Sequence, residues 1–154
     1  MKVTLYTMLS VDGRIAKSDG NTDWVPNGDI EDFNLISRKA GAVILGRKSW
    51  DEMNPIWLPY KEGDGLYIIL THNKSFVSQN TKTIITDVVP TEILKLAETQ
   101  GYSEIVVAGG GETYGTFLKS GVVDEIYIDI EPYIFGQGIR FFPDSDFELN
   151  LKLL

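Results

Sequence analysis

Between Glu104 and Leu118 a β-branched run, Ile105-Val106-Val107-Ala108, meets three glycines, Gly109-Gly110-Gly111, and then an amphipathic segment opened by Glu112-Thr113-Tyr114. Such a stretch folds as strand, tight turn and helix. Glycine lacks Cβ, so the turn can bend sharply and let a ligand approach its backbone. The helix that follows presents free N–H groups and a positive dipole end, a ready site for phosphate. Gly110 is expected where a Cβ would strike backbone or a pyrophosphate. A strand-to-helix turn can also use glycine for tightness alone, and the stretch by itself leaves both readings open.

Around this unit, short apolar runs alternate with helical periodicity. Lys2–Ser10 is β-rich and ends at the turn signal Asp12-Gly13. Ile30, Phe33, Ile36 and Ala40 recur at helical spacing, which predicts a helix over Gly28–Lys39 with Asp29 and Glu31 in its first turn. Residues 42–45, 66–70 and 83–85 are continuous apolar runs, as expected of strands buried on both faces. Ser49–Met53 reads as a short helix stopped by Pro55. Pro90–Gln100 reads as a helix with Pro90 at its start and Gly101 beyond its end. Glu125–Glu131 alternates, and Phe147–Leu154 reads as a last strand. Residues 54–65 are the one long irregular stretch. The order predicts an α/β protein with helices on both faces of a mostly parallel sheet. At 154 residues, 1–154 is expected to form one domain.

Charge and composition narrow the partners. A net charge of −8 argues against nucleic acid. No apolar run approaches the roughly 20 residues a membrane helix requires. The absence of cysteine excludes disulfides, cysteine–metal sites and cysteine nucleophiles, and no metal site is expected. The first residues lack the apolar core of a signal peptide, so a cytoplasmic protein is expected.

An open α/β sheet binds its ligand outside the carboxyl ends of its strands. There the chain places Gly46-Arg47-Lys48-Ser49-Trp50 after one strand, Thr71-His72-Asn73-Lys74 after the next, and the glycine triplet after a later one. Basic and hydroxyl side chains thus gather on one edge of an acidic protein. They form either an anion pocket or solvated loops. Two phosphate-friendly turns on one edge suit a ligand with phosphates at separate points, such as a dinucleotide. The glycines follow a late strand, which does not fit a Rossmann domain. Trp50 and Trp57 read as packing residues, Tyr133, Phe135, Phe141 and Phe142 as core or subunit contact, and His72 as an exposed loop residue.

These motifs together resemble the dihydrofolate reductase superfamily, and within it the riboflavin-biosynthesis reductase branch (RibD C-terminal domain). Ser10-Val11-Asp12-Gly13-Arg14-Ile15-Ala16 is similar to that branch's SLDGKIA signature. Gly46-Arg47-Lys48-Ser49-Trp50 is similar to the GRxTW segment of dihydrofolate reductases, and Val107–Tyr114 to their shared glycine turn. Gly121-Val122-Val123-Asp124-Glu125-Ile126 and Pro132–Gly138 resemble the branch's GLVDEL…P…GxG stretch. The resemblance implies a dihydrofolate reductase-like fold with an antiparallel C-terminal strand, and hydride transfer from NADPH to a C=N or C=O carbon. Gly109, Gly110, Gly111, Glu112 and Thr113 would cradle the pyrophosphate. Gly46, Arg47, Lys48 and Ser49 would hold the 2′-phosphate end, with Thr71 and with help from His72 or Lys74. Ile15 and Ala16 would meet the nicotinamide through backbone groups.

Trp24, Asp29 and Phe33 fall at the spacing of the tryptophan, acid and phenylalanine that flank the folate ring in dihydrofolate reductases. A carboxylate facing an apolar cleft can bind paired N–H groups and assist protonation of the reduced nitrogen. Asp29 is thus the candidate catalytic residue, with Trp24 and Phe33 as substrate contacts and Glu31 and Asp32 close by. First-turn acids also occur for dipole reasons alone. The chain departs from the riboflavin branch at Tyr6, where members often carry lysine. It lacks the cysteines of the family's deaminase half, and family members usually continue with another strand. Three functions are expected to compete: an NADPH-dependent reductase of a pyrimidine-type riboflavin precursor or related heterocycle, a dihydrofolate or pteridine reductase, and a non-catalytic nucleotide-binding protein. Branch members are commonly dimers, so a homodimer with the C-terminal strands near its interface is expected.

Overall fold

The structure is a computed structural model that describes residues 1–52, 58–60, 63–78, 80, 82–142 and 146–154. Its strands are β1 (Lys2–Ser10), β2 (Arg14–Ala16), β3 (Ala42–Gly46), β4 (Leu66–Leu70), β5 (Thr83–Thr86), β6 (Glu104–Val107), β7 (Glu125–Glu131) and β8 (Ile139–Arg140). Its helices are α1 (Asn27–Ala40), α2 (Arg47–Glu52), α3 (Pro90–Thr99) and α4 (Gly111–Lys119). Six strands form one sheet in the order β5-β4-β3-β6-β1-β7, and every pairing in it is parallel.

Parallel strands are joined by crossovers that cover both faces, so their side chains are buried on both sides. Val43, Ile44, Tyr67, Ile68, Ile69, Ile105 and Val106 are wholly buried. Leu5, Ile44, Ile68 and Ile105 pack on one face with Ile93 and Ala97 of α3 and Phe117 and Leu118 of α4. Tyr6, Val43, Leu45 and Val106 pack on the other with Ile30 and Phe33 of α1. Helix α1 ends where Gly41 takes a left-handed φ of 81° and donates its N–H to the Ser37 carbonyl at 2.9 Å. Pro90 opens α3, as its fixed φ and missing N–H favour.

Two expectations are revised. Helix α2 begins at Arg47, directly after β3, rather than at Ser49; Met53, Pro55 and Trp57 lie outside the described residues. The run Phe147–Leu154 carries no regular secondary structure. Its alternating Phe147, Leu149, Leu151 and Leu153 supply a strand pattern without a packed face: Phe147 rests on Phe142, whereas Leu153 is 96% exposed. Alternation stabilises a strand only where one face is buried and a ladder forms. The antiparallel strand expected toward the C-terminus is β8, which pairs with β2 outside the main sheet and leaves β7 at its edge. Asp12 ties the two segments together, accepting bonds from Ser10 Oγ (2.7 Å) and the Phe135 and Gly136 N–H groups (3.2 and 2.7 Å).

Candidate active site

A cleft of about 800 Å³ runs along the carboxyl ends of β1, β3, β4 and β6. Ile15, Ala16, Gly46, Arg47, Lys48, Ser49, Thr71, Gly109, Gly110, Gly111, Glu112 and Thr113 all line it. The parallel register brings them together, because it sets the strand ends side by side.

The glycine turn is tied to β3: the Ala108 N–H donates to the Ile44 carbonyl (2.9 Å) and the Gly46 N–H to the Gly109 carbonyl (2.7 Å). Gly109 has φ +116°, and a Cβ there would come within 3.0 Å of the Tyr114 hydroxyl. That buried hydroxyl donates to the Tyr6 carbonyl at 2.8 Å, which fixes α4 to β1. Of the two collisions expected at Gly110, with backbone or with a pyrophosphate, the first is absent. A Cβ there meets Ser49 Oγ at 3.2 Å and Ile15 Cδ1 at 3.9 Å, and strikes no backbone. The backbone collision belongs to Gly111, whose Cβ would lie 2.6 Å from the Arg140 carbonyl oxygen. No side chain caps α4 at Gly110, so its first N–H groups are left for a ligand.

The basic end is less free than the sequence suggests. Arg47 Nη1 pairs with Asp51, one helical turn away, and Lys48 is exposed. Beside them Asp87 lines the cleft, taking Lys74 Nζ at 2.6 Å and His72 Nδ1 at 3.5 Å on one oxygen. Those two bonds hold its carboxyl below the usual range. His72 also lines the cleft while remaining 94% exposed. Sequence reasoning missed Asp87. Its position follows from the β4–β5 register, which sets Leu70 beside Thr86, one residue before it.

At the opposite end Tyr6, Met8, Val25 and Phe33 line the cleft. Trp24 does not: its buried ring packs edge-on against Tyr133 (5.9 Å) and Phe135 (5.3 Å). Asp29 is not a lining residue either, but lies four residues from each of Val25 and Phe33. Its carboxyl is a neighbour of that of Glu131 on β7. Burial, then the contact with Asp29, then the charges of Asp29 and Asp129 push the Glu131 carboxyl up. The Tyr6 hydroxyl donates to Asp129 and is pushed far up, first by burial and then by that bond. Asp129 and Glu131 were missed because alternation along β7 was read only as a strand signal. The register with β1 sets Asp129 beside Met8 and Glu131 beside Ser10.

Comparison with known proteins gives a consistent picture. The RibD C-terminal domain family matches residues 1–154. Uncharacterized protein YwjB of Bacillus subtilis (strain 168) is 30% identical, over 99% of this chain and 88% of its own. The crystal structure of a putative riboflavin biosynthesis protein from Shewanella sp. PV-4 superposes with a TM-score of 0.80 at 23% identity, covering 97% of this chain and 88% of that one. Dihydrofolate reductase from Enterococcus faecalis, complexed with NADP(H), gives 0.72 at 23% identity, covering 94% and 79%.

Proposed function

This chain belongs to the RibD C-terminal domain family, and from that premise we propose that it is an NADPH-dependent reductase that transfers a hydride to a pyrimidine-type riboflavin precursor or a related heterocycle. The observation that carries the reading is the cleft itself: the glycine turn, the uncapped start of α4, Arg47, Lys48 and the Ile15-Ala16 segment face one space. The residues present fit a dinucleotide phosphate. Gly110 leaves its backbone bare toward the cleft, and the α4 N–H groups suit a pyrophosphate. Arg47, Lys48 and Ser49 hold the 2′-phosphate, and Thr71 and His72 border the same end. Ile15 and Ala16 orient the nicotinamide, whose reduced form supplies the hydride. Asp29 holds or protonates the substrate, with Phe33 as an apolar wall.

A dihydrofolate- or pteridine-type substrate is favoured by one observation, the acid and aromatic pair Asp29 and Phe33 on one helix face beside the cleft. A catalytically dead relic would have this end filled by apolar side chains; here Tyr6, Met8, Val25 and Phe33 line an open space, with the Tyr6 hydroxyl bonded to Asp129. We further infer a homodimer in the cytoplasm. The edge strand β7 leaves Ile128 and Ile130 exposed, with Ile134 beyond it, and a second copy would cover them.

The deciding experiment measures melting temperature with NADPH, NADH, dihydrofolate and the phosphoribosylaminouracil precursor, then NADPH oxidation with each heterocycle that binds. A ligand that binds the native state raises the melting temperature by mass action. NADPH is expected to give the larger cofactor shift. No shift with either nicotinamide cofactor would sink the reading.

A further inference from the structure

Asp87 stands at the basic end of the cleft without a part in the scheme above. The register puts it there. Gly46 on β3, Leu70 on β4 and Thr86 on β5 lie side by side, and the Thr71 N–H donates to the Thr86 carbonyl at 3.0 Å. Arg47, Thr71 and Asp87, each one residue further on, form a row across three strand ends, its outer members two strand spacings or about 10 Å apart on the backbone. All three line the cleft. The cations around this row are already engaged: Arg47 pairs with Asp51, and Lys74 with Asp87. Lys48 is the one lysine or arginine of this end without an ion pair among the described residues. The Asp87 side chain is 29% exposed, against 76% for Lys74 and 94% for His72, so the acid is the fixed member and the cations reach it from the solvent side. Lys74 Nζ and His72 Nδ1 both come to its Oδ2, at 2.6 and 3.5 Å, which leaves Oδ1 to accept a further donor. The bonds from Lys74 and then His72 hold the carboxyl below its usual range, so it carries its charge at neutral pH.

The geometry points to Asp87 as a residue that sets cofactor choice: its charge opposes a 2′-phosphate and its second oxygen accepts a 2′-hydroxyl, so that Arg47 and Lys48 give NADPH only a narrow preference over NADH. The inference rests on the nicotinamide-cofactor reading above. In dinucleotide sites a carboxylate at the adenosine ribose accepts the 2′-hydroxyl, whereas an arginine accommodates the 2′-phosphate. This chain carries both groups on one row. A 2′-phosphate drawn to Arg47 and Lys48 feels the Asp87 carboxylate two strands away, and competes with it for Lys74 and His72. It competes with Asp51 for Arg47 in the same way. A ribose hydroxyl meets none of this repulsion and gains an acceptor. Like charges at this range are screened by water but not silenced, because the strand ends and the cleft wall exclude part of the solvent.

The test is titration calorimetry of the whole chain with NADPH and NADH, and with 2′,5′-ADP and 5′-AMP as fragments that carry or lack the 2′-phosphate. In the wild type the members of each pair are expected to bind within about tenfold of each other. Asp87→Asn keeps the shape and removes the charge. It is expected to raise the preference for the 2′-phosphorylated member about fivefold, the upper scale of one exposed charge pair, chiefly through tighter binding of that member. The gain should shrink as salt screens the carboxylate. Asp87→Glu keeps the charge and is expected to hold the preference within about twofold of wild type. A wild-type preference of about a hundredfold or more overturns the assignment. So does an unchanged preference in Asp87→Asn, or an equal gain in Asp87→Glu. Weaker NADPH binding by Asp87→Asn overturns it too, and would make Asp87 a support that presents Lys74 and His72 to the phosphate. Each of these results presupposes cofactor binding and leaves the reductase reading standing. No binding of any of the four ligands to the wild type would sink that reading and this inference together.

Discussion

Neighbouring glycines of the turn separate binding from folding. At Gly110, φ is −80° and ψ −162°, an extended conformation open to alanine. The added methyl lies 3.2 Å from Ser49 Oγ and 3.9 Å from Ile15 Cδ1, with nothing else within 4 Å. It projects into the space where the pyrophosphate would sit. Loss of the glycine N-cap costs stability about 0.5–1 kcal/mol. Pushing the pyrophosphate off two backbone N–H groups forfeits charge-assisted bonds worth about 1.5–3 kcal/mol each, or roughly 3–6 kcal/mol together. NADPH affinity should therefore fall at least about hundredfold, read by titration calorimetry, while the thermal melt stays near wild type. Gly111→Ala should do the reverse. Its methyl would lie 2.6 Å from the Arg140 carbonyl and 3.2 Å from that of Phe141, so backbone must move. A crowded site of this kind costs about 1–3 kcal/mol, seen as a lower melting temperature. NADPH binding by Gly110→Ala within about twofold of wild type, roughly 0.4 kcal/mol, would refute the reasoning and reduce the triplet to a tight turn.

Arg47→Ala should weaken NADPH about tenfold or more, the scale of a lost charge-assisted bond, and leave NADH nearly unchanged; equal losses for both cofactors would contradict the 2′-phosphate assignment. Asp29→Asn keeps the shape and removes the titration, so turnover should fall about a hundredfold with NADPH binding intact; near-normal turnover would move the proton-delivery role elsewhere. The Asp12 carboxyl is lowered to about 2 by its bonds from Ser10 and the Phe135 and Gly136 N–H groups. A depressed acid contributes stability above its unfolded value near 3.8 and loses it as pH falls toward about 2. Urea midpoints of the wild type should drop across that window and those of Asp12→Asn should drop less; parallel curves would refute the link. Light scattering at tens of micromolar should give a dimer mass, and a monomer would contradict β7 as an interface.

The cofactor half of the cleft was legible because its chemistry is local. Gly109–Thr113 and Gly46–Ser49 each follow an apolar run that can only be a strand, so chain order alone puts them at carboxyl ends. Ile15 and Ala16 came from a motif rather than from periodicity. The two-residue β8 that pairs with their strand is too short to leave a pattern. The run Phe147–Leu154 misled for the opposite reason, its alternation being complete but its partner absent among the described residues. Pairing is non-local, and a pattern can supply only one side of it.

The substrate half was legible only on α1, where the spacing of Asp29 and Phe33 is itself local. Asp129 and Glu131 act through register: nothing in Glu125–Glu131 says that its acids will face Tyr6 and Asp29 rather than water. That depends on β7 lying parallel beside β1, with Asp129 next to Met8 and Glu131 next to Ser10. The result is a cleft whose two ends differ in their polar groups. Arg47, Lys48 and His72 border one end beside Glu52 and Asp87, whereas Tyr6, Met8, Val25 and Phe33 line the other, with Asp29 and Asp129 outside the lining residues and no lysine or arginine among those four. A phosphate on the substrate would be repelled there, whereas an amidine-like edge of paired N–H donors would be attracted. The physical case thus leans from a phosphoribosyl substrate toward a neutral or protonated heterocycle. A substrate pair differing only in the phosphate tests it: the dephosphorylated pyrimidine should be reduced with the higher kcat/KM, and the advantage should shrink as salt screens the carboxyls. A preference for the phosphorylated form at every ionic strength would mean that a cation outside β1, β7 and α1 reaches this end, and Arg140, which borders the same cleft, would then be the first residue to replace.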